Sequence, residues 1–116
     1  MKEQQKRPWG FYCNIEQGEG YNLKKIVVKP GQQPSYQYHH RRSEHWVIID
    51  GEAEITIDDQ VKTYSKNQSV FIPVGSKHRV KNLSSTEDLV FIEVQTGDYF
   101  GEDDIVRIQD DYGRSD

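Results

Sequence analysis

The chain has one cysteine, Cys13, among 116 residues, with one methionine and four prolines. A lone thiol cannot close an intramolecular disulfide. That points to a reducing compartment, the cytoplasm by expectation, with a reactive or intermolecular thiol as the alternative. Long apolar runs are also missing: Val47-Ile48-Ile49 and Val70-Phe71-Ile72 are strand-sized, and the opening Met1-Lys2-Glu3-Gln4-Gln5-Lys6-Arg7 has no apolar targeting core. A spanning helix needs about 20 consecutive apolar residues, so nothing here is expected to cross a membrane. No stretch keeps helical spacing for three turns, which argues against a helical core. Basic residues are the minority, 15 Lys and Arg against 19 Asp and Glu, for a formal charge of -4. That balance disfavours nucleic acid and anionic lipid as partners and leaves small molecules or proteins.

What remains is an all-β pattern. Short apolar and β-branched runs at 23–28, 35–39, 45–49, 53–57, 61–64, 69–72, 78–81 and 89–95 are separated by turn residues, a spacing that suits a sandwich or barrel. Asp50-Gly51 reads as a two-residue hairpin turn, because Asp and Gly tolerate the positive φ such a turn needs. Pro30-Gly31 and Pro73-Val74-Gly75 read as further turns, the second delivering His78 to the start of its strand. The length fits one domain, 1–116, with short polar arms at 1–7 and 109–116.

All four histidines fall in two clusters that also hold a carboxamide and a carboxylate. In the first, Gly31 is followed after five residues by Gln37, after one by His39, after four by Glu44 and after six by Gly51. In the second, Asn67 is followed after five residues by Pro73, after one by Gly75, after two by His78 and after three by Asn82. Gln37 and His39 share a face if their segment is extended, and neighbouring strands can deliver Glu44 and His78. The pair reads as a divided metal site with Gln37, His39, Glu44 and His78 as nitrogen and oxygen ligands. A hydrogen-bonded polar cluster without metal is the bland alternative.

These spacings resemble the paired motifs of the cupin superfamily, which implies a double-stranded β-helix, or jelly-roll barrel, with metal ligands on inward strand faces. Two positions depart from that pattern: Gln37 stands where His is usual, and Asn67 where Gly is usual. A Gln oxygen can ligate a divalent cation, and Asn accepts a left-handed turn. A closer resemblance is carried by Arg7-Pro8-Trp9-Gly10-Phe11-Tyr12, by Gln37, His39-His40, Arg42 and Glu44-His45-Trp46, by Ile72-Pro73, Gly75 and His78-Arg79, by Glu93-Val94-Gln95, and by Gly101-Glu102-Asp103-Asp104-Ile105 with Arg107. Running from about Arg7 to Arg114, these look like type II mannose-6-phosphate isomerase. In that family the cupin is usually the C-terminal part of a bifunctional enzyme with a mannose-1-phosphate guanylyltransferase domain, and here it is expected to stand alone. Pro34, Tyr36 and Arg41 depart from the family's usual residues and bear on substrate identity.

The resemblance implies a metal-dependent conversion of mannose 6-phosphate to fructose 6-phosphate through a cis-enediolate. One divalent ion is expected, zinc first, with Co, Mn, Ni or Fe as alternatives. The quartet also resembles the zinc set of the type I isomerases, with one Gln, two His and one Glu. Arg42, Arg79 and Arg107 match family positions and suit a phosphate, since the guanidinium fork binds its oxygens bidentately. Each alone is as readily a solvated surface Arg. Gln95 joins Glu93 on one face of a late strand, with inward preferred, and is a further substrate-binding candidate. The general base is open among Glu93, His45 and a neutral Lys24, whose place on an apolar strand face is unusual. His40 and His45 alternate with the ligands, so on regular strands both face away. His45, beside Trp46, has a possible role in orienting Glu44. The run 101–104 reads as a solvated acidic loop with a capping or intersubunit role. Competing functions are a sugar- or metal-binding cupin without turnover and an iron-dependent oxygenase. A homodimer is expected, since small barrels manage exposed sheet edges by pairing.

Overall fold

A computed structural model describes residues 3–113, and every regular element among them is a strand. These are β1 Gln4–Arg7, β2 Gly10–Gly18, β3 Tyr21–Val28, β4 Tyr36–Tyr38, β5 Arg42–Asp50, β6 Ala53–Ile57, β7 Gln60–Tyr64, β8 Ser69–Ile72, β9 His78–Asn82, β10 Leu89–Gly97 and β11 Val106–Gln109. They form two antiparallel sheets, ordered β1-β2-β3-β10-β5-β8 and β11-β4-β9-β6-β7. The inner faces share one core that includes Trp9, Ile26, Trp46, Ile48, Ile55 and Phe91. The all-β expectation holds, and the expected runs coincide with β3 through β10 to within three residues at either end.

β1, β2 and β11 were not expected. β1 lies inside the supposed polar arm 1–7 and forms a hairpin with β2, Arg7 opposite Gly10. β11 returns the chain along β4, Arg107 opposite Gln37, and reaches into the supposed arm that starts at Gln109. Both β1 and β11 are four-residue sheet edges; β1, Gln4-Gln5-Lys6-Arg7, has no apolar residue, and the alternation of β11, Val106-Arg107-Ile108-Gln109, lasts four residues only. In β2 a bulge breaks the period, since Asn14 pairs with Lys24 but Glu16 with Leu23. The arms' outermost residues, 1–2 and 114–116, lie outside the described residues.

The Asp50-Gly51 expectation is corrected. β5 and β6 belong to different sheets, so this segment is a corner and not a hairpin, with the positive φ only at Gly51 (93°). The hairpin with two left-handed residues is Asp58-Asp59, at φ 47° and 69°, joining β6 to β7 with Ile57 opposite Gln60. The proline turns form as expected: Gln32 N–H donates to Lys29 C=O at 3.0 Å and Ser76 N–H to Pro73 C=O at 3.1 Å. Asn67 takes φ 74°.

Register decides where polar side chains meet. On β5 the buried residues are Arg42, Glu44, Trp46 and Ile48, running from charged to apolar. β10 runs the opposite way and buries Leu89, Phe91, Glu93 and Gln95. Its register puts Gln95 between Asn22 and Glu44, Glu93 between Lys24 and Trp46, and Phe91 between Ile26 and Ile48. One end of the barrel is therefore apolar, and the other holds a buried polar layer. A one-residue slip would reverse every one of these faces.

β10 ends at Gly97, whose φ is 158° and where an added Cβ would lie 2.2 Å from the Arg41 carbonyl oxygen and 2.9 Å from Arg42 Cα. Both obstacles are backbone, so they yield only if the start of β5 moves. Gly97→Ala is expected to lower the unfolding free energy by about 2 kcal/mol or more, measured as a shift in urea midpoint. An unchanged midpoint would contradict the close approach.

Candidate metal centre

β4 and β9 place Gln37 opposite His78. The segment after β4 carries His39, and β5 turns Arg42 and Glu44 inward. The Pro73-Val74-Gly75 turn is tied to this segment, since Gly75 N–H donates to His39 C=O at 3.0 Å. Backbone carbonyls then sort the ring nitrogens: His39 Nδ1 faces the Asp104 carbonyl and His78 Nδ1 the Ser76 carbonyl, the latter at 2.9 Å. A carbonyl only accepts, so Nδ1 carries a hydrogen in both rings, and Nε2 is the nitrogen each neutral ring can offer as a ligand. Both lone pairs converge on Glu44, with His39 Nε2 3.4 Å from Oε2 and His78 Nε2 3.9 Å from Oε1. One ligand atom from each residue lies within 4.8 Å of the others.

His78 Nε2 is buried without a hydrogen-bond partner. A buried acceptor with nothing to accept, beside a second imidazole nitrogen and a carboxylate, is the donor chemistry of a divalent-cation site. These residues fit a metal. Gln37 lines the same cavity, its Oε1 accepting from Ser35 Oγ at 2.7 Å.

Glu44 is the most heavily partnered side chain here, accepting from Trp46 Nε1 at 3.0 Å on Oε1 and from Arg42 Nε at 2.9 Å on Oε2. Burial pushes its pKa up, but His78, Arg42 and His39 outweigh burial and hold it at about 2. His39 is held down at about 4, chiefly by burial, and is neutral as a ligand must be. Glu93, one row along the barrel, goes the other way: burial and then the Glu44 charge raise it to about 8. Its Oε2 accepts from Gln95 Nε2 at 2.5 Å, and Gln95 Oε1 accepts from Asn22 Nδ2 at 3.0 Å.

Several expected site residues face this cavity. Lys24, Arg42, Arg79, Glu93 and Arg107 line it together with the metal-ligand candidates. Lys24 is buried, 2.8 Å from Glu102 and 4.4 Å over the Tyr12 ring, a setting for a cation more than for a base. Arg79 donates from Nε and Nη2 to the carbonyls of Pro34 and Gln109, both at 3.2 Å. Arg42 reaches the cavity edge while its Nε donates to Glu44 Oε2 at 2.9 Å and its Nη2 stands 3.3 Å from His39 Nε2.

Two further expectations are corrected. His45 is exposed on the outer face of β5 and stacks on Phe71 at 4.7 Å, as strand alternation requires, so it faces away from the cavity. Gln95 is fully buried and is not a lining residue; it braces Glu93 and does not meet a ligand.

The loop 101–104 does more than stand in solvent. The Asp104 carboxylate accepts from the backbone N–H groups of His40 and Arg41, both at 3.0 Å, while its carbonyl holds the His39 ring. Glu102 reaches the cavity and pairs with Lys24. Arg7 also lines the cavity, though the sequence reading valued its segment only as a family motif.

The described fold is that of the cupins, and solved structures agree. Capsular polysaccharide assembling protein CapF from Staphylococcus aureus superposes with TM-score 0.78 at 23% identity, over 94% of this chain and 34% of that one. An RmlC-like cupin from Shewanella frigidimarina superposes with TM-score 0.76 at 19% identity, over 88% and 87%. The sequence goes further, because the model of the family described as "Mannose-6-phosphate isomerase C-terminal" matches residues 1–110. The chain belongs to that family. It is 50% identical over 109 residues to xanthan biosynthesis protein XanB of Xanthomonas campestris pv. campestris, covering 94% of this chain and 23% of that protein. It is 52% identical over 109 residues to a mannose-1-phosphate guanylyltransferase of Salmonella montevideo, with the same coverage. The chain thus spans under a quarter of the length of these relatives.

Glu93 and His39 give opposite pH dependences. An unfolded Glu93 loses its proton near 4.5 and the folded one near 8, so the folded state binds more protons across that window and stability falls as pH rises through it. An unfolded His39 gains a proton below 6.5 and the folded one only near 4, so stability also falls as pH drops through that window. In chelator-treated protein, Glu93→Gln is expected to remove the alkaline decline and to raise Tm at pH 8 by several degrees relative to wild type, with little difference at pH 4.5. Parallel Tm profiles would contradict the buried, protonated carboxyl.

Proposed function

We propose that the chain is a metal-dependent sugar-phosphate isomerase that interconverts mannose 6-phosphate and fructose 6-phosphate. The observation that supports this best is the cavity itself: in a family fold of isomerase domains, a His39, Glu44 and His78 donor set faces the same space as a second carboxyl, Glu93, held in a different protonation state. Gln37, His39, Glu44 and His78 would hold the ion. When bound, it supplies Lewis-acid stabilisation for charge developing on O1 and O2 of the open-chain sugar.

Glu93 is the group we assign as the base. As carboxylate it takes the C2 proton of the aldehyde form; electrons move to the C1–C2 bond and the carbonyl oxygen, giving the cis-enediolate. The O2–H proton passes to O1, and return of the abstracted proton to C1, with the C=C electrons taken up there and the C=O bond re-formed at C2, yields the ketose. Gln95, itself held by Asn22, fixes one carboxyl oxygen and leaves the other for the proton. Lys24, Arg7, Arg79 and Arg107 supply cationic lining for the phosphate, Arg being suited to its oxygens.

A second reading follows from the donor set alone, because two His and one carboxylate also make the facial triad of non-haem iron oxygenases. A third is sugar binding without turnover, which the cationic lining of the cavity would serve equally.

The test is conversion of mannose 6-phosphate by chelator-stripped protein reloaded separately with Zn, Co, Mn and Fe. Metal-dependent turnover is expected, lost in a Gln37→Ala, His39→Ala double variant and reduced by about 10²–10⁴-fold in Glu93→Gln. Absence of product with every metal would defeat the isomerase reading; oxygen uptake with iron would favour the oxygenase, and tight sugar-phosphate binding without product the binding module.

A homodimer belongs to the same proposal. The outer face of the six-stranded sheet brings Leu23, Val94, His45 and Phe71 into one cross-strand row, and Lys25, Ile92 and Val47 into the next. Val47, Ile49 and Phe71 are 37%, 43% and 49% exposed. Where the first row continues onto β2 it carries Glu16 beside Leu23, and the second carries Lys25, so two copies can meet face to face without charge of one sign dominating. Sedimentation is expected to show a dimer and Val47→Glu a folded monomer; a monomeric wild type would refute this surface.

A further inference from the structure

The position of Arg42 raises a question that neither the family nor the proposed reaction answers. Its Nε donates to Glu44 Oε2 at 2.9 Å, and its Nη2 stands 3.3 Å from His39 Nε2. Those acceptors belong to Glu44 and His39, which with His78 form the candidate metal site. A carboxylate oxygen can serve a metal and a hydrogen bond together. An imidazole nitrogen cannot, because its single in-plane lone pair has room for one partner. That lone pair faces a guanidinium here, and the tautomer is fixed by the Asp104 carbonyl, so the ring has no second lone pair to offer.

We infer that Arg42 is an internal competitor of the metal: its guanidinium and a divalent ion take the Glu44 and His39 acceptors in alternation, and metal binding moves Arg42 into the cavity. This rests on the reading of His39 and Glu44 as ligands. The exchange keeps Glu44 neutralised at every stage, which a buried carboxylate requires. It also relieves Arg42, whose Nη1 is buried without a hydrogen-bond partner where it stands. Glu93 and Glu102 are the cavity acids whose charges, after that of Glu44, bear on Arg42, and they are the partners open to it once Glu44 is taken by metal. Loading the site would then deliver a guanidinium to the carboxyl assigned as base. Arg42 is a positioning residue in this account.

A competitor that must be displaced weakens apparent affinity by the fraction of time it leaves the site open. Removing it therefore tightens binding. Titration of chelator-stripped protein with Zn²⁺ is expected to show Arg42→Met binding at least about tenfold tighter than wild type, with a lower Tm before loading, because Glu44 has lost its partner, and recovery of Tm on loading. Binding by Arg42→Met that is equal or weaker overturns the proposal while leaving the metal centre standing. A nearby cation that merely repels the ion would also weaken binding, so a second measurement separates the two. The Arg42 Nε–H resonance of wild type, held by Glu44, is expected to shift and lose that bond at saturating Zn²⁺. A resonance that stays in place overturns displacement even if the variant binds tighter, and it decides the matter alone should Arg42→Met fail to fold. Zinc binding by neither protein overturns the proposal and the metal reading together.

Discussion

Glu44 is a carboxylate that is 2% exposed, and the polar half of the barrel is arranged around its charge. An unpaired buried carboxylate costs several kcal/mol even after the protein relaxes, and Arg42 and Trp46 turn their donors toward it. Trp46 and Arg42 are on its own strand two residues away in each direction, and alternation alone brings them to its side. The two imidazoles come from elsewhere, His78 through the turn at Pro73 and His39 through the loop clamped by Asp104. Their lone pairs point at Glu44 without donating to it, which is poor hydrogen bonding between these three groups and good ligand geometry around a cation.

The apolar half makes this tolerable. Phe91, Ile48, Ile26 and Val28 form the rows immediately behind the polar layer, and Trp46 spans the boundary, its ring against Phe91 at 4.9 Å and its Nε1 on Glu44. A Trp that buries its body and satisfies its N–H at the edge of a polar cluster fixes that edge. Because β3, β5 and β10 are antiparallel neighbours, the polar end of each strand must come at the same end of the barrel, and in sequence their inward residues read polar-to-apolar, polar-to-apolar and apolar-to-polar. The site is a consequence of that shared register more than of any one motif.

How much of this was legible depended on how local the cause was. His39, Glu44 and His78 were legible because their spacing maps onto strand alternation and a proline turn, both local. The inward face of Glu93 followed from alternation along a strand with apolar neighbours. Alternation also turned His45 outward, yet its place beside Trp46 in a family motif kept it among the candidates; adjacency in sequence is opposition on a strand. Gln95 faced inward as expected, but depth along the barrel, which decides whether an inward residue meets ligand or brace, is set by register with strands far away in sequence. The same holds for Asp104, which caps His40 from 64 residues away, and for Glu102. β1 escaped notice because it carries no apolar residue, and β11 because its alternation, Val106-Arg107-Ile108-Gln109, is short and runs into the polar end of the chain.

The two buried carboxyls carry the chemical meaning of the arrangement. Glu44 and Glu93 are both enclosed, and burial alone would protonate both. At Glu44 the charges of His78 and His39 in their protonated forms and of Arg42 overrule burial; at Glu93 burial is reinforced by the Glu44 charge, and Arg42 and Lys24 only partly offset it. One group is thus fixed as an anion and the other poised between its forms near neutral pH. Such a pair, alike in chemistry and driven apart by surroundings, divides the labour between holding a cation and moving a proton. Cupins host many reactions on one barrel, and the fold alone does not choose among them. A proton-transfer reaction needs the second carboxyl as well as the first, whereas metal storage needs only the donor set. Placing Glu93 at the site, braced from behind by Gln95 and Asn22, incurs a desolvation cost for which a storage site has no use and a group that moves a proton has one.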